Sequence, residues 1–342
     1  MKKSVRLALG IGAVTVAFGL AAALWAYLGS RDLEQPSAAP ERLTLAMGRN
    51  YIGTGLVLIA TANGYFKEAG LEVTLQPHAT GRACLEAVLA GKADLATVAD
   101  TPLTFAALSG RPFLVVATIA SEITDHGIVA RKDRGIAAPA DLKDKRIGVT
   151  VGTSGHFFLD VIKANYRIAP APIRTLTNLQ PEAMAAALVA GEVDAVSTWS
   201  PHLRQLELAL GDNSVRFSGN DIVQYTFNLA GLSSYVAANP DTMKKLLRAL
   251  ERAEHFSVKH RTEARTVIGH AMGAGHEPSD ERWADYNLRL TLEQRLLIQM
   301  EEEARWAIKN GYVEKSVLPN FLDFIYLDAM AAVKPRALTI IR

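Results

Sequence analysis

An alanine-rich, helix-like run ends at the same punctuation twice in this chain, a hundred residues apart. The first copy is Ala90-Gly91-Lys92-Ala93-Asp94, followed by an apolar stretch and then Asp100-Thr101-Pro102. The second is Ala190-Gly191-Glu192-Val193-Asp194, followed by an apolar stretch and then Trp199-Ser200-Pro201. Glycine there suits the helix C′ position, where a positive φ is often required. The apolar stretches have the length of buried parallel strands. Each then opens into a polar loop whose proline suits the first turn of another helix. Repetition of this unit predicts two α/β lobes of one design. Polar loops at the carboxyl ends of the strands predict a ligand held between them.

Length and composition agree with two lobes. The 342 residues are enough for a sizeable core in each. Lys and Arg number 37 against 35 Asp and Glu, with no basic block beyond the N-terminus, so no nucleic-acid partner is expected. The single cysteine, Cys84, excludes an internal disulfide framework and a multi-cysteine metal site. His255, His260, His270 and His276 lack HExxH spacing, and neither a metal nor a cofactor is expected.

The N-terminus predicts the compartment. Lys2, Lys3 and Arg6 precede an uncharged apolar run, Leu7 to Leu28, about long enough to span a bilayer. The charges orient its start to the cytoplasm and send the remainder outside. Trp25 and Tyr27 fit the interface of an uncleaved anchor, whereas Ala21-Ala22-Ala23 offers the small residues of a cleaved signal. No cysteine stands directly after the run, which excludes a lipoprotein anchor. Residues 1–29 are therefore a membrane anchor or signal, and 30–42, with Pro36 and Pro40, a polar linker.

From Leu43 onward, strand and helix patterns alternate in the βαβα rhythm of a parallel, doubly wound sheet. A second rhythm starts after Ile128-Val129-Ala130-Arg131, and includes a strand containing Thr175. Crossings near 126–132 and 222–232 make lobe 1 discontinuous, at 43–131 and 226–342, with lobe 2 at 132–225. Leu292, Leu296, Leu297, Met300, Ala304 and Ile308 trace an apolar helical face ending at Gly311.

Several of these strings resemble the nitrate/sulfonate/taurine family of ABC-importer substrate-binding proteins. They are Gly64-Tyr65-Phe66-Lys67-Glu68-Ala69-Gly70-Leu71-Glu72-Val73, Leu85 to Asp94, Ala140-Asp141-Leu142-Lys143, Gly152-Thr153-Ser154-Gly155-His156-Phe157 and Trp199-Ser200-Pro201. They occur in the family's order from about Leu43 to the C-terminus. The resemblance implies an α/β, two-lobed periplasmic binding protein type II fold behind an N-terminal transmembrane or signal helix. It also implies a small-molecule solute passed to an ABC permease and its ATPase.

The candidate ligand residues sit on the strand-end loops. Gly152 and Gly155 admit close backbone approach, Thr153 and Ser154 add hydroxyls, and the helix that follows presents free N–H groups suited to an anion. Capping by Ser or Thr fits the same residues. His156 matches the family's histidine, although a histidine in a first helical turn also fits packing. Trp199 closes the second repeat, and Ser200 replaces the family's acidic or amide residue beside it. Thr80 and Gly81 match a Ser/Thr-Gly loop. Asn50 and Tyr51 offer an amide and a phenol. Asp100 and Thr101 close the first repeat, with Asp100 either capping its own helix or facing the cleft.

The expected function is extracytoplasmic capture of a small, anionic organic solute, with tethering to the inner membrane and no enzymatic step. Gly152-Thr153-Ser154-Gly155 is not a nucleophile elbow, because His156 stands where that motif needs glycine. A thiamine-pyrimidine synthase shares the implied fold, but its cysteine-rich signature is absent. The alternatives are a solute sensor of the same fold acting through a membrane partner, and an enzyme using Asp100 or His156 as acid or base.

Overall fold

A computed structural model describes residues 39–168, 176–219, 222–273, 278, 283–284, 286–314 and 317–341. The chain divides into units 1–40 and 41–342, and the fold below is that of the second. The expected anchor or signal and Thr175 lie outside the described residues. Among those described, no helix is long and apolar enough to cross a membrane.

Eleven strands are described: β1 Glu41–Gly48, β2 Leu71–His78, β3 Leu95–Ala99, β4 Phe113–Glu122, β5 His126–Arg131, β6 Ile147–Val149, β7 Leu176–Asn178, β8 Ala195–Trp199, β9 Ser214–Ser218, β10 Tyr225–Leu232 and β11 Tyr286–Asn287. They form two sheets, ordered β11-β4-β10-β3-β1-β2 and β7-β6-β8-β5-β9. Within each, the repeated strands run parallel: β1 with β2 and β3, and β6 with β7 and β8. The sheets are mixed, however, because the returning strands β10 and β5 insert antiparallel. The parallel, doubly wound pattern expected from the repeats thus holds for the repeated strands, with an antiparallel strand added in each sheet. Each strand that carries the chain across enters its new sheet against the grain of the repeats, β5 the second and β10 the first.

Two boundaries also move. β5 is hydrogen-bonded between β8 and β9, so residues 126–131 belong to the second sheet and the first crossing lies between Glu122 and His126. Glu41 and Arg42, read as linker, pair with Leu71 and Glu72 and start β1.

The repeat is visible in atomic detail. Gly91 and Gly191 adopt φ of +69° and +73° after the helices Gly81–Leu89 and Pro181–Ala190. Asp94 exchanges two bonds with Thr44 at the start of the neighbouring strand, N–H to Thr44 O at 2.9 Å and Oδ2 from Thr44 N–H at 2.7 Å. Asp194 makes the same pair with Arg146, at 2.8 and 3.0 Å. Pro102 lies in the first turn of the helix Asp100–Leu108, whereas Pro201 is the N-cap of His202–Leu210.

Each sheet buries its own core. The lobe 1 core runs from Leu43 and Leu45 through Ile59, Leu103 and Val115 to Leu246 and Met300. The second sheet has one cluster around Ile128, Ile147 and Phe158 and another around Val129, Met184 and Leu203. The helix Gln294–Lys309 supplies the predicted apolar face with Leu296, Leu297, Met300 and Ala304. Trp306 packs against cores of both lobes, so this helix spans the cleft.

Candidate functional site

The ends of β1, β3, β5 and β8 surround a cavity of ≈ 40 Å³ between the lobes. A water needs roughly 10–15 Å³ by this measure, so the space is compact. Lobe 1 contributes Tyr51, Thr80, Gly81, Arg49, Arg82, Pro102 and Phe227 among its walls; the second sheet and its helix contribute His126, Thr153, Ser154 and Trp199. Beyond it lies a chamber of ≈ 600 Å³, and Thr80 and Arg82 line both spaces.

Two helices begin at the cavity, at Gly81 and at Ser154, with Thr80 and Thr153 as their N-caps. Thr80 Oγ1 accepts from Ala83 N–H at 3.0 Å. A Cβ on Gly81 would stand 3.1 Å from Val98 Cα, and one on Gly155 3.2 Å from Thr198 Cα. Both glycines thus let a helix start press onto the strand beside it, again by the same rule in each repeat. Gly152 has φ +75°, and a Cβ there would meet Arg82 Nη1 at 2.7 Å. That nitrogen donates to Val151 O at 2.5 Å, so Arg82 reaches across the cleft over Gly152.

Six of the twelve residues read from the sequence line the inner cavity: Tyr51, Thr80, Gly81, Thr153, Ser154 and Trp199. Asn50, Asp100, Thr101, Gly152, Gly155 and His156 do not. Tyr51 is buried, its ring 4.5 Å from Phe227, and burial pushes its phenol well above the ordinary range.

Asp100 is fully buried and looks away from the cavity. Its Oδ2 accepts from Thr226 N–H at 2.9 Å and from Thr226 Oγ1 at 3.1 Å, tying the helix to β10. Oδ1 takes the N–H of adjacent Thr101 at 3.0 Å, and Ala99 is the N-cap, so the expected capping role is replaced by a strand tether. Burial raises the Asp100 carboxyl to about 6, against the opposing hydrogen bonds from Thr226. Thr101 also points inward: its hydroxyl donates to Glu303 at 2.5 Å, and Thr104 donates to the same carboxylate at 2.8 Å. Burial, reinforced by Asp100, pushes Glu303 well above the usual carboxylate range.

His156 is fully buried, with its ring 4.5 Å from Tyr312 and 5.0 Å from Trp306. Nδ1 accepts weakly from Gly152 N–H at 3.4 Å, and Nε2 has no hydrogen-bond partner among the described residues. Desolvation lowers its pKa to about 4. It serves the contact between lobes, as packing.

The sequence reading missed His126, Arg49 and Phe227, and gave Arg82 no role. His126 heads β5, where no periodic signal marks a function; its Nε2 lies 2.8 Å from Ser154 Oγ and its Nδ1 2.8 Å from Glu122 Oε1. Arg49 follows β1 beside the named Asn50, and that adjacency was the one available signal. No group of three or more His, Cys, Asp or Glu among the described residues is arranged to hold a metal ion.

The chain is 27% identical over 212 residues to a binding protein of Brucella abortus strain 2308, covering 60% of this chain and 64% of that one. It is 27% identical over 214 residues to a Bacillus subtilis strain 168 protein named for binding aliphatic sulfonates, covering 61% and 64%. The match thus spans just under two thirds of these relatives. The alkanesulfonate-binding protein of Xanthomonas axonopodis pv. citri, solved bound to MOPS, superposes with a TM-score of 0.71 at 20% identity, over 84% of this chain and 99% of that one. The two-sheet architecture is therefore a periplasmic binding protein fold. Residues 53–264 match the family described as NMT1/THI5 like, and the chain belongs to that family.

Proposed function

We propose that this protein is the extracytoplasmic solute-binding component of an ABC importer, and that its solute is a compact organic anion such as a sulfonate, a carboxylate or a nitrate-like compound. One observation carries the reading. The interlobe cavity is walled by hydroxyls, two arginines and two helix N-termini, and among the described residues no carboxylate lines it. Helix N-termini and guanidinium groups favour an anion, and a water-poor cavity strengthens that preference. The names of the sulfonate-binding relative and the sulfonate-bound solved structure support the same class.

Tyr51, Thr80, Gly81, Thr153, Ser154 and Trp199, with His126, Arg49 and Arg82, are the contacts of this reading. Closure occurs about the two crossings between sheets, and the captured cargo is handed on unconverted to a permease and its ATPase. The apolar run Leu7 to Leu28 holds the protein at the inner membrane. Fractionation that finds a released form beginning near Leu24 removes the tether from the proposal.

Calorimetry with methanesulfonate, MOPS, acetate and nitrate tests the binding role, with primary amines as controls. At least one anion is expected to bind and raise the melting temperature. Binding of amines in preference to every anion sinks the charge assignment.

A further inference from the structure

Glu122, His126 and Ser154 form one hydrogen-bonded chain that ends at the inner cavity. Ser154 Oγ is 2.8 Å from His126 Nε2, and His126 Nδ1 is 2.8 Å from Glu122 Oε1. The other oxygen of Glu122 accepts Asp125 N–H at 2.7 Å, which fixes the carboxylate. All three side chains are buried, yet Ser154 and His126 both reach the cavity wall. The Tyr225 ring lies 3.9 Å from the imidazole and holds its plane. Ser154 opens its helix just after the positive-φ turn at Gly152, so the Ser154 and Gly155 N–H groups precede the first intrahelical bond, His156 N–H to Thr153 O at 3.0 Å.

We propose that Ser154, His126 and Glu122 are an acyl-transfer relay that hydrolyses small carboxylic esters in the cleft. The arrangement supplies what such chemistry requires: a nucleophile bonded to a base, a base bonded to an orienting carboxylate, and N–H donors beside a cavity. Ser154 Oγ attacks the acyl carbon while its proton passes to His126 Nε2. Glu122 holds the imidazole and stabilises its charged form. The helix N–H groups stabilise the oxyanion. Collapse of the tetrahedral intermediate breaks the ester C–O bond, and His126 returns the proton to the leaving alkoxide. Water, deprotonated by His126, then attacks the acyl-serine; the acid leaves and the proton restores Ser154.

The ≈ 40 Å³ cavity limits the acyl part to a short chain, and the chamber past Thr80 and Arg82 takes the alcohol part. Ser154 and His126 are catalytic residues on this proposal, and Glu122 is a positioning residue. The activity goes beyond solute capture. A sulfonate or nitrate-like cargo has no acyl carbon, so it passes the same serine unchanged.

The full chain is treated with a small fluorophosphonate and, separately, with p-nitrophenyl acetate. The expected results are one phosphonyl adduct on the peptide containing Ser154 and a nitrophenolate burst near one equivalent, followed by slower release. Ser154→Ala abolishes both. His126→Gln slows adduct formation by roughly 10⁴- to 10⁶-fold, the scale of losing a triad member. Glu122→Gln lowers the rate and displaces the acid limb of the pH–rate profile, in a setting that also holds Asp100, Asp125 and Tyr225; a purely structural role would leave that limb in place. Melting curves establish that each variant is folded. The wild type decides the matter without any variant: no adduct on Ser154 after exhaustive treatment overturns the proposal. An adduct that forms equally fast in folded His126→Gln overturns it as well.

Discussion

Asp160 Oδ2 accepts the indole N–H of Trp306 at 3.1 Å and the hydroxyl of Tyr312 at 2.8 Å, joining a helix of one lobe to the opposite lobe by a single carboxylate. Lys163 lies 3.6 Å from the other oxygen. Asp160→Ala leaves two partly buried donors unpaired, at about 1–3 kcal/mol apiece. That cost falls on the closed arrangement of the lobes, because opening would return both donors to water. Small-angle scattering should show a larger radius of gyration for the variant. An unchanged radius would remove Asp160 as a latch.

His156 packs against the same two aromatic residues, and the prediction for it is pH-dependent. Its folded pKa, about 4, lies below the ordinary 6.5, so the unfolded chain binds the proton more readily. The stability it contributes is present above pH 6.5 and is lost as pH falls toward 4. His156→Phe keeps the aromatic contact and deletes the unpartnered Nε2. Thermal melts are expected to show the variant as stable as wild type at pH 7.5, and more stable at pH 5. A loss of ligand binding without a loss of stability would restore this residue to the site.

Asp100 acts in the opposite direction. Burial raises its carboxyl to about 6 from 3.8, so the folded state holds the proton more tightly than the unfolded chain. Its contribution is complete below about pH 3.8 and is gone above about pH 6, a change on the order of 2–3 kcal/mol. Glu303, also raised, adds in the same sense at higher pH. Denaturation of wild type and Asp100→Asn from pH 4 to 7 isolates the effect. The stability difference between them should shrink or reverse as pH rises; a flat difference refutes it.

Arg82 bridges the cleft to Val151 and separates the inner cavity from the outer chamber. Arg82→Ala removes an exposed bridge, so little stability is at stake. Ligand release is another matter: the off-rate should rise by roughly tenfold to a hundredfold, the range expected for one charge-assisted bond. Stopped-flow displacement measures this, and an unaltered off-rate would assign closure elsewhere.

The repeat itself was legible in the residues. Gly91 and Gly191 require positive φ, Asp94 and Asp194 follow at equal spacing, and the apolar stretches between them and the strand-end loops have strand length. Local chemistry of that kind needs no knowledge of distant neighbours. It located Thr80, Gly81, Thr153, Ser154 and Trp199 at the cavity, because strand ends and helix starts are determined by residues close in sequence.

The tertiary structure decided which way each side chain faces and what it meets. Asp100 turns to Thr226, 126 positions onward, and Thr101 to Glu303, 202 positions onward. His126 acquires its chemistry only when β5 crosses into the second sheet and sets the imidazole between Glu122 and Ser154. Motif spacing does not encode such meetings. They follow from sheet order, from the antiparallel entry of the crossing strands and from burial, which sets the proton affinity of each group once its neighbours are in place.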